Sequence, residues 1–146
     1  MKRQPECVCV NLRRAARAVS QIYDEALAAS GIKITQFSLL RAVERNAPAS
    51  IGILAEDLDL DRTTLARNLR PLERDRLIEL AAGEDARVTL VRLTARGRGT
   101  LARALPLWEK AQREVALRLT PKRVELLRTL AGEAIAAAGP LRRSIG

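Results

Sequence analysis

Ser50-Ile51-Gly52-Ile53-Leu54-Ala55-Glu56-Asp57-Leu58, Asp59-Leu60-Asp61 and Arg62-Thr63-Thr64-Leu65-Ala66-Arg67-Asn68-Leu69-Arg70 follow one another without interruption, and the fold turns on how they are read. Ile51, Leu54, Ala55 and Leu58 recur at helical spacing and predict one short amphipathic helix, capped by Ser50. Asp59-Leu60-Asp61 breaks it. Asp61 is then a suitable N-cap for a second helix with Leu65, Leu69 and Leu72 on its inner stripe. Its other face carries Arg62, Thr63, Ala66, Arg67, Arg70 and Arg74. That face has guanidiniums, a small hydroxyl and no bulky apolar group, which suits entry into a DNA major groove. A solvated surface helix is the plainer reading of such a face. The neighbouring segments favour the first reading.

Downstream, Ile78-Glu79-Leu80 predicts a short strand, Ala81-Ala82-Gly83-Glu84-Asp85-Ala86 a hairpin tip, and Val88-Thr89-Leu90-Val91-Arg92-Leu93 the return strand. Thr94 caps a long helix in which Leu101, Ala104, Trp108, Ala111 and Val115 alternate by three and four, with Pro106 expected to kink it. Thr120-Pro121 starts another, as N-cap and first helical residue, followed by Val124, Leu127, Leu130 and Ala134. Gly139-Pro140 is expected to end it and to leave Arg142 and Arg143 in a loose tail. Upstream, Val8, Leu12, Ala15, Val19, Ile22 and Ala26 form a similar seam over 8–29, closed by Ser30-Gly31. Thr35 is expected to cap the following helix, which carries Phe37, Leu40 and Val43, and 45–49 reads as a loop.

The expected fold is mainly α with a small β-hairpin wing: a winged helix-turn-helix at 32–96 and a helical dimerisation region from 1–31 and 97–146. Apolar seams at both chain extremes call for a partner helix and predict a homodimer; an intramolecular bundle is the alternative. Two-fold symmetry then predicts an inverted-repeat site on double-stranded DNA.

Composition narrows the function. The 146 residues carry a formal charge of +9, which suits nucleic acid or an anionic surface. One Trp, one Tyr and one Phe are too few for a platform that stacks single-stranded bases. With no His, two Cys and no Gly-rich phosphate loop, the chain is expected to hold no metal or cofactor and not to be an enzyme. No apolar run approaches the roughly 20 residues of a membrane span, and Met1 to Glu6 lead into no signal-peptide core, so a cytoplasmic, membrane-free protein is expected.

From about Val10 to Ala138 the chain resembles the MarR family of winged-helix transcription regulators. The resemblance rests on Thr35-Gln36-Phe37-Ser38-Leu39-Leu40, on Leu54-Ala55-Glu56-Asp57-Leu58, on Arg62 to Leu69, on Leu72 to Ile78, and above all on Asp85-Ala86-Arg87 followed by Val91 to Gly97. It implies DNA contacts from Arg62, Thr63, Thr64, Arg67, Asn68 and Arg70, with Arg87 in the minor groove and Asp85 orienting it. A guanidinium suits a narrow, electronegative groove on independent grounds. Two departures stand out. Arg76 occupies a position where relatives usually have Gly, and Ala81-Ala82-Gly83 lacks the extra arginines of many wings. The resemblance also implies a repressor released by a small anionic or phenolic effector, with Tyr23, Phe37 and Trp108 lining its cavity and Arg14 or Arg17 meeting a carboxylate.

Cys7 and Cys9 leave an alternative open. Some such regulators sense oxidants through an N-terminal cysteine, and a bridge between subunits is freer than one within a helix. Two inert helix-start residues is the preferred reading. A winged-helix module for protein contacts is a further alternative, disfavoured because the Arg62, Arg67 and Arg70 face lacks apolar anchors.

Overall fold

The computed structural model describes residues 6–144, with side chains through residue 139. Its elements run α1 (Val8–Leu27), a 3-10 turn (Ala28–Ser30), α2 (Ile34–Arg45), β1 (Ala49–Ser50), α3 (Ile51–Asp57), α4 (Arg62–Arg74), β2 (Ile78–Ala82), β3 (Thr89–Leu93), α5 (Ala95–Leu119) and α6 (Pro121–Ser144). No helix among the described residues is long and apolar enough to cross a membrane.

The chain divides into two compact units, one ending at Trp108 and the other starting at Glu109. In the first, Leu27, Leu40, Leu54, Leu65, Leu72, Ile78 and Val91 are fully buried around one core. Each contributes roughly 1.5–3 kcal/mol by leaving water. Leu27 of α1 and Leu101 and Ala104 of α5 belong to that core, so both helices share the unit of the central elements.

β2 and β3 pair antiparallel from Ile78↔Leu93 to Ala82↔Thr89. Ala81 and Ala82 therefore lie in the strand, and the tip is 83–88. The sequence expectation had put both alanines in the tip because alanine carries little strand preference; ladder bonds to Leu90 and Thr89 override it. β1 is a third strand that the loop reading missed, pairing Ala49↔Val91 and Ser50↔Leu90. Two residues cannot show an alternating pattern; only pairing with β3 defines them.

Helix ends are mostly as the sequence implies. Gly31 takes a φ of 78°, the left-handed conformation that glycine adopts without a Cβ penalty, and closes the turn after α1. Thr35 is not a cap but lies in the first turn of α2. The Ile34 N–H donates instead to Asp24 Oδ1 on α1 at 2.8 Å, and the Lys33 N–H to Gln36 Oε1 at 3.0 Å. Pro121 begins α6, but Thr120 has a φ of 68° rather than the extended backbone of a capping residue. α6 also continues through Gly139 and Pro140 to Ser144, so Arg142 and Arg143 are helical and not in a loose tail. A helix with alanines and leucine around its proline survives the loss of one backbone bond.

The apolar seams differ in their surroundings. Leu101, Ala104, Ala111 and Val115 of α5 are buried, and the helix is unbroken through Pro106. In α1, Val8, Leu12 and Val19 are exposed; in α6, Leu126, Leu127, Leu130 and Ile135 are each at least half exposed.

Candidate nucleic-acid interface

Two caps and two left-handed residues build the helix-turn-helix. Ser50 Oγ accepts from the Ile53 N–H at 3.2 Å and starts α3. At the other end the Leu60 N–H reaches the Ala55 carbonyl at 2.9 Å and the Asp59 N–H the Glu56 carbonyl at 3.2 Å. This is the Schellman pattern, and it needs a left-handed residue, here Asp59 with a φ of 52°. Asp61 then caps α4. Its Oδ1 accepts from the Thr64 N–H at 2.8 Å and its Oδ2 from the Thr64 hydroxyl at 2.7 Å. The Thr64 hydroxyl bond, followed by the backbone bond, holds the Asp61 carboxyl below its ordinary range.

The same pattern ends α4. The Leu77 N–H donates to the Leu72 carbonyl at 2.8 Å and the Arg76 N–H to the Glu73 carbonyl at 2.9 Å. Arg76 is the left-handed residue, with a φ of 57°. The place where relatives carry Gly thus has the backbone that favours Gly, and Arg there costs about 1 kcal/mol. Thr94 Oγ1 donates to the Arg76 carbonyl at 2.7 Å and accepts from the Gly97 N–H at 2.9 Å. Gly97 has to be glycine, because a Cβ there would stand 1.9 Å from the Leu77 carbonyl oxygen.

With Leu65, Leu69 and Leu72 in the core, α4 turns Arg62, Thr63, Ala66, Arg67, Asn68, Arg70 and Arg74 to solvent. Thr64, grouped with the DNA contacts in the sequence reading, is half-buried and has its hydroxyl engaged by Asp61. The Arg62 guanidinium lies over Gly52 of α3, with Nη2 3.3 Å from where a Cβ would be. Arg74 Nε donates to Asp75 Oδ1 at 3.2 Å. Pro71 sits inside α4, where its missing N–H leaves the Arg67 carbonyl without an i→i−4 partner.

At the wing tip the Gly83 N–H donates to the Val88 carbonyl at 2.8 Å and the Val88 N–H to the Asp85 carbonyl at 2.9 Å. The Asp85 carboxylate accepts from the main-chain N–H of Arg87 at 3.0 Å. It therefore fixes the backbone that carries Arg87, not the guanidinium fork that the sequence reading assigned to it. Arg87 is exposed.

The candidate effector residues do not form one cavity. Phe37 is buried and stacks on Trp108, ring centroids 5.6 Å apart and planes at 25°, so both belong to the packing of the first unit. Arg14 is exposed on α1, and Tyr23 is half-buried. Arg17 lines an open groove of about 700 Å³ on α1 with Ala16, Ser20, Gln21, Asp24, Glu25 and Ala28, which includes neither aromatic of the stacked pair. Cys7 and Cys9 are both free and exposed, Cys7 as the residue before α1.

The MarR family model matches residues 30–88, which spans α2 to the wing tip. No curated protein is significantly similar to the chain. Among solved structures, the transcriptional regulator MosR of M. tuberculosis in complex with DNA is 41% identical, with 92% of this chain and 99% of that one covered and a TM-score of 0.81. A structure of M. tuberculosis MosR described without DNA is 38% identical over 90% and 97% of the two chains, with a TM-score of 0.75. S. aureus MepR, as a DNA complex, shares the fold at 18% identity, with 91% and 99% covered and a TM-score of 0.75. With a helix-turn-helix, a wing and a relative of this identity over nearly its whole length, the chain belongs to the MarR family of winged helix-turn-helix, DNA-binding transcription regulators.

Proposed function

We propose that the chain acts as a homodimeric repressor on an inverted-repeat operator and is released by a small anionic or phenolic ligand. The observation that carries the DNA part is the exposed α4 face of Thr63, Arg67, Asn68 and Arg70, backed by three buried leucines and accompanied by Arg87 on a braced tip. Arg67 and Arg70 suit guanine edges and phosphates, and Arg87 suits a narrow minor groove. The likeness to MosR in complex with DNA supports the same reading.

The homodimer, with 1–31 and 97–146 as its dimerisation region, is supported by exposed Val8 and Leu12 on α1 and exposed Leu127 and Leu130 on α6. Exposed leucines spaced along one helix are what a partner helix covers. The ligand part draws on Arg14, Arg17 and Tyr23, since Phe37 and Trp108 are committed to each other.

The test joins assembly to DNA. Sedimentation with the duplex upstream of the protein's own gene should give two chains per inverted repeat, and a dimer without DNA. A folded monomer at micromolar concentration overturns the dimer; no preference for that duplex over random DNA overturns the regulator.

One observation favours a second reading, release by thiol oxidation: Cys7 and Cys9 are both exposed at the start of α1. An oxidant can reach either sulfur.

A further inference from the structure

Arg96, Thr100 and Arg103 follow one another on α5 at spacings of four and three, so they share one face of the helix. Facing them are Ser30-Gly31-Ile32 from the α1–α2 connection and Asp75 and Leu77 from the end of α4, and together these enclose a cleft of about 360 Å³. Every lining residue lies within the unit that ends at Trp108.

The cleft has a buried floor and a cationic rim. Ser30, Ile32, Leu77 and Thr100 are buried, whereas Arg96 and Arg103 are exposed. Arg103 Nη2 donates to Thr100 Oγ1 at 3.2 Å, which steadies the guanidinium and leaves most of its five N–H groups free. Arg96 donates to no acceptor among the described residues. Asp75 is the one acidic group on the lining, and its Oδ1 already accepts from Arg74 Nε. Two planar, permanently charged forks over an apolar floor of Ile32 and Leu77 match a carboxylate attached to an apolar body. The volume lies near the lower end of small-molecule sites, roughly 300–1,000 Å³.

We propose that this cleft binds a small carboxylate with an apolar body, its charge held by Arg96 and Arg103 and its body against Ile32 and Leu77. The proposal deepens the ligand-released reading above, on which it rests for the effector's class, and sites the effector away from Arg14, Arg17 and Tyr23. Asp75 and Leu77 flank Arg76, the left-handed residue that ends α4, so an occupant touches the turn leaving the recognition helix.

Benzoate is the probe, titrated calorimetrically into the full chain, with benzamide as its neutral counterpart. The parent should bind benzoate and not benzamide. Arg96→Gln and Arg103→Gln should each weaken binding roughly tenfold or more, as loss of a charge-assisted bond does, while Arg14→Gln with Arg17→Gln should leave it unchanged. Amide spectra of the parent should shift at Gly31 and Thr100 on adding benzoate, which locates the site without relying on any variant. No binding at millimolar benzoate, equal binding of benzamide, or a loss confined to the Arg14 and Arg17 variant overturns the proposal. Operator affinity measured without benzoate reports separately on the DNA reading: a chain that binds operator but not benzoate refutes only the cleft, and one that binds benzoate but not operator refutes only the regulator.

Discussion

The Thr94 hydroxyl donates to the Arg76 carbonyl at 2.7 Å, joining positions 18 residues apart. The same oxygen accepts from the Gly97 N–H and caps α5. Because the Thr94 N–H also donates to the Leu77 carbonyl at 3.1 Å, the end of the recognition helix, the root of the wing and the start of α5 meet at one side chain. Any motion of α5 is thereby transmitted to the turn that aims α4.

Replacing Thr94 by Val keeps the shape and deletes both hydroxyl bonds. Thr94→Val should lower stability by about 1–2 kcal/mol, as the loss of a cap together with a second bond does. Urea unfolding followed by circular dichroism measures it. A midpoint equal to the parent's would show that water replaces both bonds at no cost.

Arg76 adopts a φ of 57° with a side chain that disfavours it. Arg76→Gly should therefore stabilise the chain by about 1 kcal/mol, with nothing lost from the Thr94 bond, which uses only the backbone of residue 76. Thermal unfolding should show a higher Tm. A lower Tm would mean that the Arg76 side chain contributes more than its backbone strain costs.

Asp61 supplies a pH signature. Bonds from the Thr64 hydroxyl and N–H hold its folded-state pKa below the ordinary value of 3.8. A depressed carboxylate pKa adds stability that is present above the unfolded value and is lost as pH falls through the folded one. Asp61→Ala should thus be less stable than the parent at pH 7, and the gap should close as pH drops below about 3.8. Urea midpoints at pH 7, 5 and 3 check this; a gap independent of pH would mean that the carboxylate charge plays no part in the cap.

For the switch, we expect effector-driven release to survive replacement of Cys7 and Cys9 by Ser, and peroxide not to release DNA from the folded parent. Gel-shift titrations with peroxide on both proteins decide the matter. Release by peroxide that disappears in the double Ser variant would make the exposed thiols the sensor.

What the sequence made legible was local. The Ser50 and Asp61 caps, the stripe of Leu65, Leu69 and Leu72, and the Thr94 cap each depend on residues within four positions of one another. Even the strain at Arg76 was readable, since an expected glycine marked the place. Features assembled across the chain were not. The α2 cap comes from Asp24, ten residues before the N–H it accepts. β1 exists only through its pairing with β3. Asp85 was correctly singled out, but which donor it accepts from depends on the turn at the tip. The Arg96 and Arg103 cleft draws on three separate segments, and in the sequence its arginines look like ordinary surface charge on α5. The ring pair Phe37 and Trp108, taken as cavity lining, is a contact across 71 positions that no local pattern reveals.

The central claim is that α4 and the wing read DNA, and an anisotropy titration of a labelled duplex carrying the inverted repeat upstream of the gene tests it most directly. The parent should bind that duplex in preference to a scrambled one. Arg67→Ala and Thr63→Ala should weaken binding and relax base preference, and Arg87→Ala should weaken it further, with roughly 1–3 kcal/mol of discrimination at stake in a bidentate arginine contact. Parent-like binding by all three variants, each folded and dimeric, would contradict the account.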